Sequence, residues 1–458
     1  MSSLINILHH ACDPLKEAGE DFYYDCSEAR GRGTLRQDFL QRLNQTLGSK
    51  NYVRYLFSGH AGCGKSSEIK ALQRALEHGD AEFPELPSYQ VVYVNAQEYF
   101  NEFAPVTAQE VLLTMVSELA SILHEEHDIE LADNALSARL REIWRGVTTR
   151  IGVEAVEVTL GNLKTRLKPL AFDEEARFLV QEALQREPGK LLTEVNEVLE
   201  QAKDKLLAQK KRHCAGILFL VDQLEKCRPA QNGDQLLYEL FIDNARLLIG
   251  IEAHVLYTMP LSFIRSKFGE LQSAFGQAPV VLPMVTIRTR SNVAYPLGLK
   301  TLKALLRKRL PDGLTLTGEN GVFTEESLAI LLEMSGGYLR NLMMFVREAC
   351  LKGRSFPFDS DCVRQAIAPT MRGYSPTIPT PYWPKLAAIE RDPQHQINPA
   401  DPDYQALLEQ VCIMEYANGG GDNEWETIGM PWFGVNPVLS KLPQFREATK
   451  QLQTLASP

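Results

Sequence analysis

One short stretch has the residue types and spacing needed to hold a polyphosphate. Within FSGHAGCGKSSEI, residues 57–69, Gly59, Gly64, Lys65 and Ser66 fit G-x-x-x-x-G-K-[ST]. Glycines at 59, 62 and 64 let the backbone curl so that several N–H groups converge on one point. Lys65 supplies a mobile positive charge for the β- and γ-phosphates, and the Ser66 hydroxyl suits Mg²⁺. Cys63 reads as a small filler in the loop, where its thiol could make the site sensitive to alkylation. The expected ligands are ATP, or another nucleoside triphosphate, and Mg²⁺.

A second polar group follows far along the chain. The apolar run 216–221 ends in Asp222, followed by Gln223, Leu224, Glu225 and Lys226. Such a run suits a parallel strand buried on both faces, and an acid at its carboxyl end would hold Mg²⁺ through water. Many hydrolysing ATPases carry a glutamate next, to polarise the attacking water. Gln223 cannot accept that proton, which leaves Glu225 as the nearest carboxylate. Two outcomes are open: slow hydrolysis with a long-lived ATP state, or hydrolysis using Glu225.

Other polar residues stand where the γ-phosphate or the base could be read. Thr258 ends an expected fourth strand, 252–258, in the place of a polar sensor. Arg340 follows paired glycines in SGGYLR, residues 335–340, and reads as a lid cation reaching the γ-phosphate or as a surface arginine at a helix corner. Arg30, in the polar turn 27–31, reads as a nucleotide contact or as a solvated arginine at a helix start. Arg288 and Arg290, after a fifth apolar run at 280–285, are candidate fingers acting on a second copy of the chain.

The elements that must position these residues are legible from periodicity. The fold class expected is α/β: a P-loop NTPase parallel sheet with a helical insertion, then an α-helical lid and a small winged-helix-like C-terminal domain. Apolar runs at 52–57 and 90–94 give the first two strands, and residues 65 onward keep helical spacing. Residues 1–50 read as a helical approach, 51–290 as the core, 291–368 as the lid, 369–400 as a proline-rich linker and 401–458 as the last domain. The insertion, 100–213, reads as mainly helical, with helices at 107–145, 173–187 and 190–212. Alternation around Gly161-Asn162 predicts a hairpin over 153–168. Five cations at 300, 303 and 307–309 alternate with leucines, the pattern of a solvated helix face more often than of a nucleic-acid patch.

Composition narrows the classes. The chain has 458 residues, 44% hydrophobic and 23% charged, with a net charge of −10, which argues against a surface that grips nucleic acid throughout. Residues 401–458 hold eight Asp or Glu against three Lys or Arg, better suited to protein contact than to DNA phosphates. Eight scattered cysteines give no zinc spacing and no disulfide framework. No apolar run is of membrane-spanning length, so no membrane role and a cytoplasmic location are expected.

The order of phosphate loop, hhhhDxxE strand, polar fourth-strand end and SGGYLR turn resembles the AAA+ and STAND superfamilies of P-loop ATPases. More narrowly, it is similar to bacterial ATPases that join an origin-recognition-like core to a helical insert. Their loop pattern LSGHRGSGKSTEL compares with FSGHAGCGKSSEI, and hhhhDDLDK with LVDQLEK. Their LLxxxxVLEYxNGxxWxxVHPxL compares with LLEQVCIMEYANGGGDNEWETIGMPWFGVNPVL, residues 407–439. The resemblance implies Gly62, Gly64, Lys65, Ser66 and Ser67 at phosphates and metal, Asp222 at Mg²⁺ and Arg340 as a second sensor. It also implies a signalling or assembly switch, often in anti-phage or stress responses, with self-association and a separate protein effector. Gln223 departs from the pattern. A DNA-acting ATPase (initiator, loader or transposition regulator) is the main alternative, and a module that holds ATP structurally is a third.

Overall fold

The computed structural model describes residues 2–16, 19–101, 105–151, 158–170, 173–209, 214–227, 233–417 and 430–456. The chain divides into two compact units. One comprises residues 35–58 and 69–280; the other joins residues up to Thr34, 59–68 and 281–458.

The first of these units carries the sheet apart from three strand-end residues, Gly59, Val281 and Leu282, which are counted with the other. Strands β1 (Arg54–Gly59), β2 (Ser88–Asn95), β3 (Cys214–Asp222), β4 (His254–Thr258) and β5 (Val280–Leu282) lie in the order β2-β3-β4-β1-β5. The pairs β2/β3, β3/β4 and β4/β1 are parallel. All five expected strands are present, and β4 is buried at every residue, as a strand inside a covered parallel sheet should be. Register then decides what meets at the carboxyl edge. Phe57 pairs with Thr258, Val221 with Tyr257 and Asn95 with Asp222, so Thr258, Asp222 and Asn95 end neighbouring strands in one row.

The insertion contributes to this unit's core. Helix Ala108–His127 is capped by a Thr107–Glu110 box and is buried around nearly its whole surface, beyond the single apolar stripe expected. Its buried Glu110 is neutralised by Arg177 at 2.8 Å. The hairpin is not found in its described half. Thr159 and Asn162 cap each other around a short 3₁₀ turn, Leu160–Asn162, that leads into helix Leu163–Leu170; residues 152–157 lie outside the described residues. Asn162 thus serves as a capping side chain rather than a turn residue. Pro188, read as a break, opens helix Pro188–Ala208, where its missing N–H costs nothing.

In the other unit, the N-terminal helix Ser2–Ala11 places Ile5 and Leu8 in one core with Leu342, Phe345 and Val346, so its apolar face belongs with the lid helices. The stretch 369–400, read as a linker, is largely helical: Ser360–Thr377 contains Pro369 and Pro376, and a further helix spans Tyr382–Arg391. After helix Pro402–Glu409, β6 (Ile413–Tyr416) pairs antiparallel with β7 (Trp432–Val435), and helix Pro443–Ala456 follows. The expected turn at 418–421 and the strand-like pieces near Trp425 and Ile428 lie outside the described residues. Among the described residues no helix is long and apolar enough to cross a membrane.

Gly337 has φ +80°, and a Cβ there would overlap the backbone carbonyl oxygen of Val285. Gly337→Ala is therefore expected to destabilise the nucleotide-free protein by about 2 kcal/mol or more. A denaturant midpoint would read this, and an unchanged midpoint would contradict the packing.

Candidate functional site

The phosphate loop is shaped by glycine and held by its carbonyls. Gly59, Gly62 and Gly64 have φ of 158°, 79° and 108°; the last two angles favour glycine. A Cβ at Gly59 would stand 2.7 Å from the Leu282 carbonyl oxygen, and one at Gly62 2.5 Å from Arg340 Nε. Lys65 Nζ donates to the carbonyls of Gly59 (2.9 Å) and His60 (3.3 Å). The Tyr338 hydroxyl donates to Ala61 O at 2.8 Å, and Arg30 Nη2 to Cys63 O at 2.7 Å. A trans peptide points its C=O and N–H in opposite directions, so each tethered carbonyl turns the next N–H the other way. The N–H groups of His60, Gly62 and Gly64 are oriented in this manner. Helix Lys65–His78 then begins, with Ser66 and Ser67 half-buried in its first turn.

Arg30 and Arg340 flank this loop in different ways. Arg30 is 2% exposed, and its second terminal nitrogen donates to Pro283 O, so it is a backbone tether rather than a solvated side chain. Arg340 crosses Gly62, and its Nε is buried with no hydrogen-bond partner among the described residues. Burial raises the Tyr338 hydroxyl above its usual range while nearby Arg340 opposes the rise. Cys63 is wholly buried, the place of a small filler in the loop.

The sequence reading missed His60. Its Nε2 accepts the Glu415 N–H at 2.9 Å, which leaves Nδ1 to carry the proton and donate to Leu408 O at 3.2 Å. In the same region Met284 N–H donates to Glu415 O at 2.8 Å, and the Tyr416 hydroxyl donates to Gly336 O at 2.6 Å. The loop is thus bonded to β6, and β6 to the lid turn. A signal lay in the two patterns quoted above, which carry a histidine in the glycine loop and an EY pair 355 residues later, but nothing local joins them.

In the sheet-bearing unit the acid cluster is equally explicit. Asp222 is fully buried; its Oδ1 accepts the Gln223 N–H at 2.8 Å and its Oδ2 the Tyr93 hydroxyl at 3.0 Å. Gln223 sits at φ +67° and its Oε1 accepts from Lys226 Nζ at 2.8 Å. Thr258, also fully buried, donates its hydroxyl to Glu225 Oε2 at 2.7 Å. The candidate base and the candidate sensor are therefore partners.

The outlying arginines are engaged. Arg288 pairs with Glu390 at 2.8 Å and with Asn292 at 2.9 Å, and Arg290 reaches Gln394 at 3.3 Å. Of the five cations at 300–309, Arg309 points inward, over the Phe22 ring and to Leu305 O, and Lys308 donates to Tyr23 O. The basic face is narrower than its sequence.

The loop residues fit the phosphates of a nucleotide, and Asp222 has the chemistry to hold Mg²⁺. In the unit that holds the loop, the glycines form a cradle that a Cβ would fill, and a buried guanidinium nitrogen with no hydrogen-bond partner among the described residues lies across it; in the sheet-bearing unit, taken by itself, a buried carboxylate ends β3. Comparison with known proteins agrees at the level of the domain. Residues 36–239 match the KAP family P-loop domain. No curated protein sequence matches the chain. Solved structures similar to it include the Aeropyrum pernix Orc1 protein in complex with DNA (TM-score 0.36, 13% identity, 95% of this chain and 97% of that one). Others are Drosophila ORC bound to DNA (0.40, 11%, 97% and 91%) and Cdc6p from Pyrobaculum aerophilum (0.36, 11%, 97% and 98%). At these scores the likeness is slight.

His60→Ala removes two buried hydrogen bonds and leaves a donor and an acceptor unmatched, an expected loss of about 2–4 kcal/mol. A fall in the melting temperature of the nucleotide-free protein would register it; no fall would show that the ring contributes nothing net.

Proposed function

We propose that the chain is an ATP-binding switch with slow hydrolysis. The observation that carries this reading is the set of tethers on the phosphate loop. Side chains from the N-terminal turn (Arg30), the lid turn (Tyr338) and the loop itself (His60, to β6) all bond the backbone that would receive phosphates. A ligand that draws the loop N–H groups toward itself strains or reinforces these bonds, and so has different affinity for docked and undocked states.

In this reading Lys65 and the loop N–H groups hold the β- and γ-phosphates, while Ser66 and Asp222 hold Mg²⁺, with Ser67 beside them. Bound Mg²⁺ would neutralise phosphate charge. Arg340, whose Nε has no hydrogen-bond partner among the described residues, is the lid cation for the terminal phosphate. Glu225 is the candidate base for the attacking water. Its Oε2 accepts the Thr258 hydroxyl, a bond that favours the ionised carboxylate and weakens it as a base, which favours slow turnover. Gln223 contributes its backbone N–H to Asp222 rather than a proton acceptor. The resemblance in sequence motifs further supports a signalling or assembly role, in anti-phage or stress defence, with self-association and a protein effector.

Lys65→Ala should abolish the ATP-dependent rise in melting temperature; an undiminished rise would overturn ATP binding at this loop. Glu225→Gln should keep that rise while lowering turnover at least about tenfold. Equal turnover in the two forms would remove Glu225 as the base.

A further inference from the structure

We infer that Tyr93 is a positioning residue for the cation-binding carboxylate, with Lys70 behind it. The inference rests on the reading of Asp222 as the Mg²⁺ residue and adds two residues that the phosphate-loop and acid motifs do not contain.

The geometry is specific. Asp222 ends β3 as a fully buried carboxylate, and a buried anion keeps one orientation only if donors fix it. Its Oδ1 is met by the Gln223 N–H at 2.8 Å, a backbone donor that any side chain at 223 would leave in place. Its Oδ2 is met by the Tyr93 hydroxyl at 3.0 Å, and that donor depends on the residue type. Tyr93 is delivered by the parallel register of β2 on β3, where it pairs with Leu220, two residues before Asp222. Residues two apart on a strand share a face, so Tyr93 and the acid lie on one side of the sheet.

Lys70 completes the chain of contacts. Its Nζ lies 3.3 Å from the centre of the Tyr93 ring and donates to Gln73 Oε1 at 3.2 Å. A cation over a phenol ring draws electron density from it and makes its O–H a stronger donor. Lys70 belongs to helix Lys65–His78, which opens with the phosphate-loop lysine. Within the sheet-bearing unit, Lys70 and the carboxylate that would meet the metal are thereby linked through one tyrosine. Outer partners of this kind set the orientation of a metal-binding group and typically govern its affinity by 10- to 100-fold.

Tyr93→Phe keeps the ring and the stacked Lys70 and removes only the O–H. The test is the Mg²⁺ concentration that gives half of the ATP-dependent rise in melting temperature, measured on the full chain. It is expected to increase roughly tenfold in Tyr93→Phe. The rise given by ATP in excess chelator should be unchanged, and Lys70→Met should shift the Mg²⁺ midpoint in the same direction by a few-fold. A Tyr93→Phe midpoint equal to that of the wild type would overturn the assignment. So would an equal loss of stabilisation with and without Mg²⁺, the mark of a merely structural tyrosine. A wild type that shows no Mg²⁺ dependence would instead overturn the reading of Asp222, and the assignment of Tyr93 with it.

Discussion

Everything at the phosphate loop depends on where its carbonyls go. A peptide plane cannot turn its N–H toward an anion unless its C=O turns away and finds a donor there. Here Gly59 and His60 give their carbonyls to Lys65, Ala61 to Tyr338 and Cys63 to Arg30. The glycines permit this curl; the tethers hold it. An anion site built in this way is organised before the anion arrives, which limits the reorganisation that binding must drive.

The donors also explain why the reading is of a switch. They come from parts of the chain far from the loop in sequence, and His60 extends the contact to β6. β6 in turn reaches the lid turn through Tyr416 and Gly336. A closed set of bonds from loop to β6 to lid and back to Ala61 cannot relax at one point without the others. In the sheet-bearing unit the same economy holds: Glu225 with Thr258, and Asp222 with Tyr93 and Gln223, are satisfied pairs. Satisfied polar pairs in a low-dielectric setting are costly to break, which accords with a site that turns over slowly.

The strands and the motif residues were legible because each is written locally. An apolar run ending in Asp222, or glycines spaced around Lys65, needs no partner to be read. What stayed hidden is what depends on distant partners. Tyr93 carries no motif and acquires a role only through the register that sets β2 on β3. Arg30 read as a nucleotide contact or a solvated side chain, and Arg309 as part of a solvated face more often than of a nucleic-acid patch, yet the fold supplies carbonyls and a ring that let each be buried. Gly161-Asn162 carries a hairpin signal, but Thr159 offers Asn162 a capping partner and the local hydrogen bonds favour a helix start. Prolines at 369 and 376 suggested a linker, while helix Ser360–Thr377 accommodates both.

The central claim is that phosphate binding at the loop is felt by β6 and the lid turn. Hydrogen exchange of the wild-type chain, with and without ATP and Mg²⁺, tests it most directly. The account predicts that amides of residues 59–66, 336–340 and 408–416 change protection together and with one dependence on ATP concentration. Protection confined to residues 59–66, with the other two segments exchanging as in the nucleotide-free protein, would contradict it.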